Sequence, residues 1–246
     1  MSTSLLPQEI YLLERYSSVE YFGEMRDAWR ETLHFVEDSL SRFMARLPAD
    51  LRQRPLPMQP DVVWGQRVLP HFRDTAAILD GAFIRLTHGD ADALRSANAV
   101  VSDVRGQRDF SSDWLDEVAP GGSARYGELL HRADRLASNI FRTAAIGWVT
   151  GALSHRYSPR SRGELDRPAV WPRYELDGSV QVRTGELVPE SGIYLPDVAE
   201  AASQFLIGGF AALPAMTGFD GQQYTAKVPA VWTRVRRMQQ QKPAFL

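Results

Sequence analysis

Thr184-Gly185-Glu186-Leu187-Val188-Pro189-Glu190-Ser191-Gly192-Ile193-Tyr194-Leu195-Pro196 is the stretch on which the fold class turns. Glycine reaches backbone conformations closed to other residues and proline locks one dihedral, so this density of both specifies a loop path. The same character runs from Gly178 through Phe205-Leu206-Ile207-Gly208-Gly209, Pro214 and Gly218 to Trp232. Short apolar runs between these punctuation marks read as strands. Tyr174-Glu175-Leu176 and Val180-Gln181-Val182 flank Asp177-Gly178, a hairpin signal. Further strands are expected near Ile193-Tyr194-Leu195, Phe205-Leu206-Ile207 and Val228 to Val235. Nothing along this path supplies a nucleophile with its base, a metal shell or a phosphate cradle.

Before Tyr157 the pattern is helical. Ser17-Ser18-Val19-Glu20 has capping-box spacing, with Tyr16 and Tyr21 placed to staple across it. Phe22, Met25, Trp29, Leu33, Val36, Leu40, Phe43 and Leu47 then recur every three or four residues up to Pro48, the mark of a long amphipathic helix. A Pro-rich connection, Pro55 to Pro60, leads into a second helical region from about Val62 to Leu86. Its core candidates are Trp64, Val68, Phe72, Ile78, Leu79 and Phe83, and Pro70 is expected to kink or restart it. Thr87-His88-Gly89-Asp90 reads as a C-cap followed by a new N-cap. Ala91 to Val118 is less regular: a helix to about Val104, a break near Gly106 and a short helix from about Ser112. Gly121-Gly122-Ser123 caps a fourth long helix, Ala124 to about His155, with a stripe of Leu130, Ala133, Ala137, Ile140, Phe141, Ala144 and Trp148. The expected architecture is α+β. Residues 1–157 form a bundle of about four long helices, 158–173 a linker, and 174–246 a small antiparallel β-containing region packed on the bundle.

The 246 residues suffice for a substantial core, and a formal charge of −2 advertises neither nucleic acid nor membrane. The chain contains no cysteine, which removes disulfides, thiolate metal sites and cysteine nucleophiles together. Met1 to Glu9 shows neither a basic n-region nor an apolar h-region, so a cytoplasmic location is expected. The longest apolar runs, Ala144 to Leu153 and Phe205 to Met216, fall short of the ~20 residues that span a bilayer.

Chemistry-bearing patterns are few. Glu31-Thr32-Leu33-His34 and Glu128-Leu129-Leu130-His131 are two Glu-x-x-His pairs, the arrangement that binds two irons in ferritin-like oxidoreductases. At ~100° per residue, however, all four side chains project away from the apolar stripes of their helices, so they are expected to face water. Gly121-Gly122-Ser123 lacks the ends of a phosphate loop or a nucleophile elbow, and no spacing of Ser, His and Asp singles out a triad. No catalytic residue, metal or cofactor is therefore assigned. The surface feature of most interest is acidic. Glu20, Glu24, Asp27, Glu31 and Asp38 fall within ~60° of one another on the first helix, with Arg26 and Arg30 projecting away from that line. Like charges at i,i+4 cost a few tenths of a kcal/mol each, which suggests a ridge kept for a basic partner. From Gly221 onward the chain is basic instead, with Lys227, Arg234, Arg236, Arg237 and Lys242. These could grip phosphates in a nucleic-acid-binding regulator, but without an aromatic stacking set or reader motif nucleic acid is not the expected partner. An intramolecular contact, or one in a homodimer, accounts for them equally well.

The C-terminal stretch also carries a resemblance. Gly185, Pro189, Ser191, Gly192, Tyr194 and Pro196 occur in order, followed by Gly208 or Gly209, Pro214 and Trp232. This resembles the C-terminal signature of a group of immunity proteins made by bacteria that deploy polymorphic toxins, often through type VI secretion. Val188 stands where that family often has cysteine, and Tyr194 where it often has tryptophan; both suit a packing role. The resemblance implies an antitoxin that neutralises a cognate toxin in bacterial competition by protein–protein interaction. It implies no catalysis by the chain and a toxin that acts in the cytoplasm, such as a nuclease.

Overall fold

The computed structural model describes residues 5–238. Helices α1 (Pro7–Tyr16), α2 (Val19–Ala45), α3 (Pro60–Val63), α4 (Leu69–Thr87), α5 (Ala97–Gly106), α6 (Trp114–Val118), α7 (Gly122–Ala144) and α8 (Pro159–Arg162) come first. Strands β1 (Tyr174–Arg183), β2 (Gly192–Pro196), β3 (Gln204–Leu206), β4 (Ala215–Phe219), β5 (Tyr224–Val228) and β6 (Val231–Arg237) follow, so the class is α+β. No helix among the described residues is long and apolar enough to cross a membrane. Two compact units divide the chain: a helical unit, Val19–Phe141, and a mixed unit of Met1–Ser18 with Arg142–Leu246. The boundaries expected after residues 157 and 173 are thus not where the contacts divide. The N-terminal segment joins the strand-bearing part because α1 is a separate helix whose side chains bond to residues 148–174.

In the helical unit, α2 buries Phe22, Met25, Trp29 and Val36 along the stripe read from the sequence, while Leu47 is 47% exposed. Each fully buried side chain of this size contributes roughly 1.5–3 kcal/mol. Trp29 packs on Phe72 of α4 with ring centroids 4.6 Å apart and donates its indole N–H to the Phe72 carbonyl at 3.0 Å. Helix runs without a break from Pro60 to Thr87, so the chain does not restart at Pro70. A π-helical turn, Trp64–Val68, lies just ahead of it, and this wider turn accommodates a residue with no N–H to donate. Ile78, expected in the core, is 50% exposed on α4, whereas Leu79 is fully buried. Gly89 adopts φ +86° and the Asp90 carboxylate accepts from the Asp92 N–H, the cap pair that the sequence announces. Gly122 opens α7 so close to α6 that a Cβ there would sit 2.4 Å from the Leu115 carbonyl oxygen. The α7 stripe holds in Ala133, Ala137, Ile140 and Ala144, and Trp148 beyond the helix is buried too. Leu130 and Phe141 are only half-buried, with Tyr126, Leu129 and Leu136 in the core instead, and the helix ends at Ala144 rather than near His155.

In the mixed unit, β1, β6, β2 and β3 form one antiparallel sheet in that order, and β4 pairs with β5 as a separate hairpin. The hairpin expected at Asp177-Gly178 is instead a bulge within β1, which pairs with β6 on both sides of it. Asp177 accepts from the N–H and hydroxyl of Ser179, so its carboxylate stabilises the local bend without reversing the chain. Helix α1 is held to residues 148–174 and to β6. Gln8 donates to the Leu153 carbonyl at 2.8 Å, Ser154 donates to Glu9 at 2.6 Å, and Arg15 pairs with Asp166 at 2.7 Å. Glu14 accepts from the Tyr174 hydroxyl and from Arg237, and Tyr16 stacks on the buried Trp148.

Candidate functional site

The five carboxylates read as an acidic ridge do not make a bare one. Asp27 pairs with Arg26 at 2.8 Å and with Arg30 at 4.0 Å, so these two arginines do not point away from the line as expected. Arg30 also reaches Asp80 at 2.6 Å. Glu31 is held by both Arg125 and Arg132 of α7 at 2.9 Å each, and Asp38 pairs with Arg42 at 2.7 Å. Glu20 and Glu24 are exposed near the start of α2. Exposed pairs of this kind add about 0–1 kcal/mol apiece to stability, but they cancel most of the field the ridge would project. Helical projection treats each side chain as a fixed spoke, and long arginines at i−1, i+3 and on α7 reach round it.

The Glu-x-x-His residues are all exposed, as the projection requires. Glu31 serves the two arginines, His34 lies 3.6 Å from Glu37, and Glu128 lies 3.4 Å from Arg125. Among the described residues no group of three or more histidine and carboxylate side chains is arranged to hold a metal ion. The basic C-terminal residues are spoken for within the mixed unit: Arg234 pairs with Glu190, Arg236 with Asp177 at 3.3 Å, and Arg237 with Glu14. Lys227 lies on β5, and Lys242 falls outside the described residues.

Two of the signature residues, Tyr194 and Trp232, share one core, where they pack with Val182, Val188, Leu206, Ala212 and Ala215. Tyr194 is fully buried and its hydroxyl donates to the Glu190 carbonyl at 2.9 Å. Trp232 donates its indole N–H to the Leu213 carbonyl at 2.9 Å and pairs across the sheet with Pro196. The Ser191 hydroxyl accepts from the Gly208 N–H at 2.9 Å, and a Cβ on Gly208 would come within 3.0 Å of the Ser191 nitrogen. That close approach is why serine and glycine occupy these two places. Gly185, at φ +91°, sends its N–H to the Ala212 carbonyl, and Gly192 starts β2. Pro214 is partly buried beside Leu213, while Pro189 is exposed. Val188 and Tyr194, the two departures from the family pattern, are both buried in this core.

What this knot presents outward was not legible in advance. Residues 185–188 run antiparallel to 209–212: Val188 N–H bonds the Phe210 carbonyl, Gly209 N–H the Val188 carbonyl, and Ala212 N–H the Glu186 carbonyl, all at 2.8–2.9 Å. Leu187 and Ala211 face each other across this short ladder. Leu187 is 69% exposed, Leu213 50% and Phe210 43%; Phe210, opposite the buried Val188, lies on the other face of the ladder from Leu187. Exposed apolar side chains on a rigid, hydrogen-bonded loop pair are candidates for a contact with another protein. The available signal was apolar residues placed between loop-forming glycines and prolines, where a pure turn would be polar.

No family model, curated protein or solved structure matches the chain.

Proposed function

We propose that this chain is an immunity protein that binds and neutralises a cognate secreted bacterial toxin, one acting in the cytoplasm such as a nuclease, with no chemistry of its own. The observation that carries the reading is the set of exposed apolar side chains Leu187, Phe210 and Leu213 on a loop pair that the buried Val188 and Ala212 fix to the core. A stable protein complex buries about 800 Å² per partner around a few aromatic or aliphatic anchors. Phe210 and Leu187 have the chemistry of such anchors, and the glycine-bounded ladder pre-pays much of the ordering cost. With Asp27, Glu31 and Asp38 engaged by arginines, the α2 carboxylates take a secondary part in this reading.

The test is co-expression with the product of the adjacent toxin gene, followed by co-purification and a survival assay. A stoichiometric complex that protects the cell, and that Leu187→Asp with Phe210→Asp dissolves, supports the proposal. A toxin that kills equally with and without the chain overturns it.

A further inference from the structure

The helical unit contains a second feature that the proposed function does not use. The π-helical turn Trp64–Val68 is anchored by the buried Trp64, whose indole N–H donates to the Ser111 carbonyl at 3.1 Å. Wide turns of this kind recur at functional sites because they displace side chains from regular helical register. Here the turn forms one wall of a cavity of about 380 Å³, and the end of α5 with the following 3₁₀ turn forms the other. That volume lies within the range of small-molecule sites.

The chemistry of the two walls differs. On the α5 side, Thr75 donates to one carboxylate oxygen of Asp103 at 2.7 Å, leaving the other oxygen to accept. One turn on, the Tyr126 hydroxyl donates to the side-chain oxygen of Gln107 at 3.1 Å, which orients the amide and leaves its NH₂ to donate. Burial raises the pKa of Asp103, against the hydrogen bond from Thr75 and the nearby His71. An acceptor beside a donor complements the donor–acceptor edge of an amide or a nucleobase. Opposite, Arg67 and His71 stand on successive turns; among the described residues neither forms an ion pair, though His71 is close enough to act on the Asp103 carboxyl, and Asp109 also lines the cavity. Guanidinium and imidazole groups together suit a phosphate. Phe110 supplies an aromatic side chain at the rim.

We propose that this cavity binds a small nucleotide: the base edge against Asp103 and Gln107, the phosphate toward Arg67 and His71, and Phe110 against the ring. The site is independent of the exposed apolar side chains on the mixed unit.

The experiment is isothermal titration calorimetry of the full chain with AMP, GMP, CMP and UMP, alongside ribose 5-phosphate and inorganic phosphate. At least one nucleotide is expected to bind with Kd below about 1 mM, and at least about tenfold more tightly than ribose 5-phosphate. Arg67→Gln, an exposed change that leaves the core untouched, is expected to weaken that binding by about tenfold, and Asp103→Asn likewise. Thermal unfolding of each variant confirms that it is folded. Absence of binding by all four nucleotides at that level overturns the proposal. So does ribose 5-phosphate binding as tightly as the best nucleotide, or an Arg67→Gln protein that binds as the parent does.

Discussion

The indole N–H of Trp232 donates to the carbonyl oxygen of Leu213 at 2.9 Å, tying β6 to the segment that carries the exposed Phe210 and Leu213. One fully buried ring therefore both fills the signature core and fixes the position of the surface above it. Trp232→Phe removes the donor and leaves the carbonyl unpaired, at an expected cost of about 1–3 kcal/mol. Trp232→Ala also opens a cavity and is expected to cost about 3–5 kcal/mol. Urea unfolding followed by circular dichroism measures both, and a Trp232→Phe protein as stable as the parent would remove the bond from the account.

Two glycines of α7 have opposite expectations. Gly122→Ala places a methyl group 2.4 Å from the Leu115 carbonyl oxygen, a backbone atom that cannot swing aside, so a loss of about 1–3 kcal/mol is expected. Gly127 lies inside the same helix with nothing within 4 Å of an added Cβ. Gly127→Ala is therefore expected to stabilise by about 0.5–1 kcal/mol through the lower entropy of the unfolded chain. The pair of melting curves should move in opposite directions.

Glu9 is buried in the mixed unit, and desolvation raises its pKa despite the hydrogen bond from Ser154 and the nearby charges of His155 and Arg156. A carboxyl group raised in the folded state binds its proton more tightly there than in the unfolded chain. Its contribution is then most favourable at low pH and is lost as pH rises past the unfolded value toward and above the folded one. Glu9→Gln keeps an acceptor for Ser154 and discards the charge. It is expected to be more stable than the parent at pH 7, with the difference shrinking as pH falls below the ordinary glutamate value of 4.5. Denaturant titrations of both proteins across pH 4–8, roughly the window set by that value, check the sign.

Leu187→Asp alters a side chain that is 69% exposed, so it should change stability by no more than about 0.5 kcal/mol, whereas Phe210→Asp, at a side chain more than half buried, is expected to cost more. Both are expected to weaken toxin binding by at least about tenfold. Glu31→Gln makes the contrasting case. It releases Arg125 and Arg132 and should cost under about 1 kcal/mol, with the cost shrinking in 0.5 M salt, roughly where surface pairs are screened.

Local chemistry was read well from the sequence wherever it acts locally. The α2 stripe and the Gly89-Asp90 cap pair both rest on neighbours within a few residues. Asp177-Gly178 shows where that stops. It carries the same turn chemistry as Asp220-Gly221, which does reverse the chain: Gly221 takes φ +104° and the Asp220 carboxylate accepts from Gln222 and Gln223. The difference is that β1 finds its partner in β6, more than fifty residues away, and no local pattern encodes that choice. In α7 either of the neighbouring Leu129 and Leu130 could join the stripe, and tertiary packing selected the first. The site divides in the same manner. Buried signature residues were nameable because glycine, proline and aromatics have narrow uses, but the exposure of Leu187 and Phe210 depends on how two distant loops pair. Neither that pairing nor the arginines around Glu31 could be derived from spacing.

The attachment of α1 to the far end of the chain sets an order of assembly. Glu14 and Arg237 are 223 residues apart in sequence, and Glu9 waits for Ser154 across an interval of 145. During synthesis Val19–Phe141 emerges as a contiguous stretch that can collapse while the ribosome is still at work, whereas α1 cannot complete its contacts until residues 148–174 and then β6 have been made. An amphipathic segment exposed for that long is a natural handle for a chaperone, and any stalled or truncated product would display it permanently.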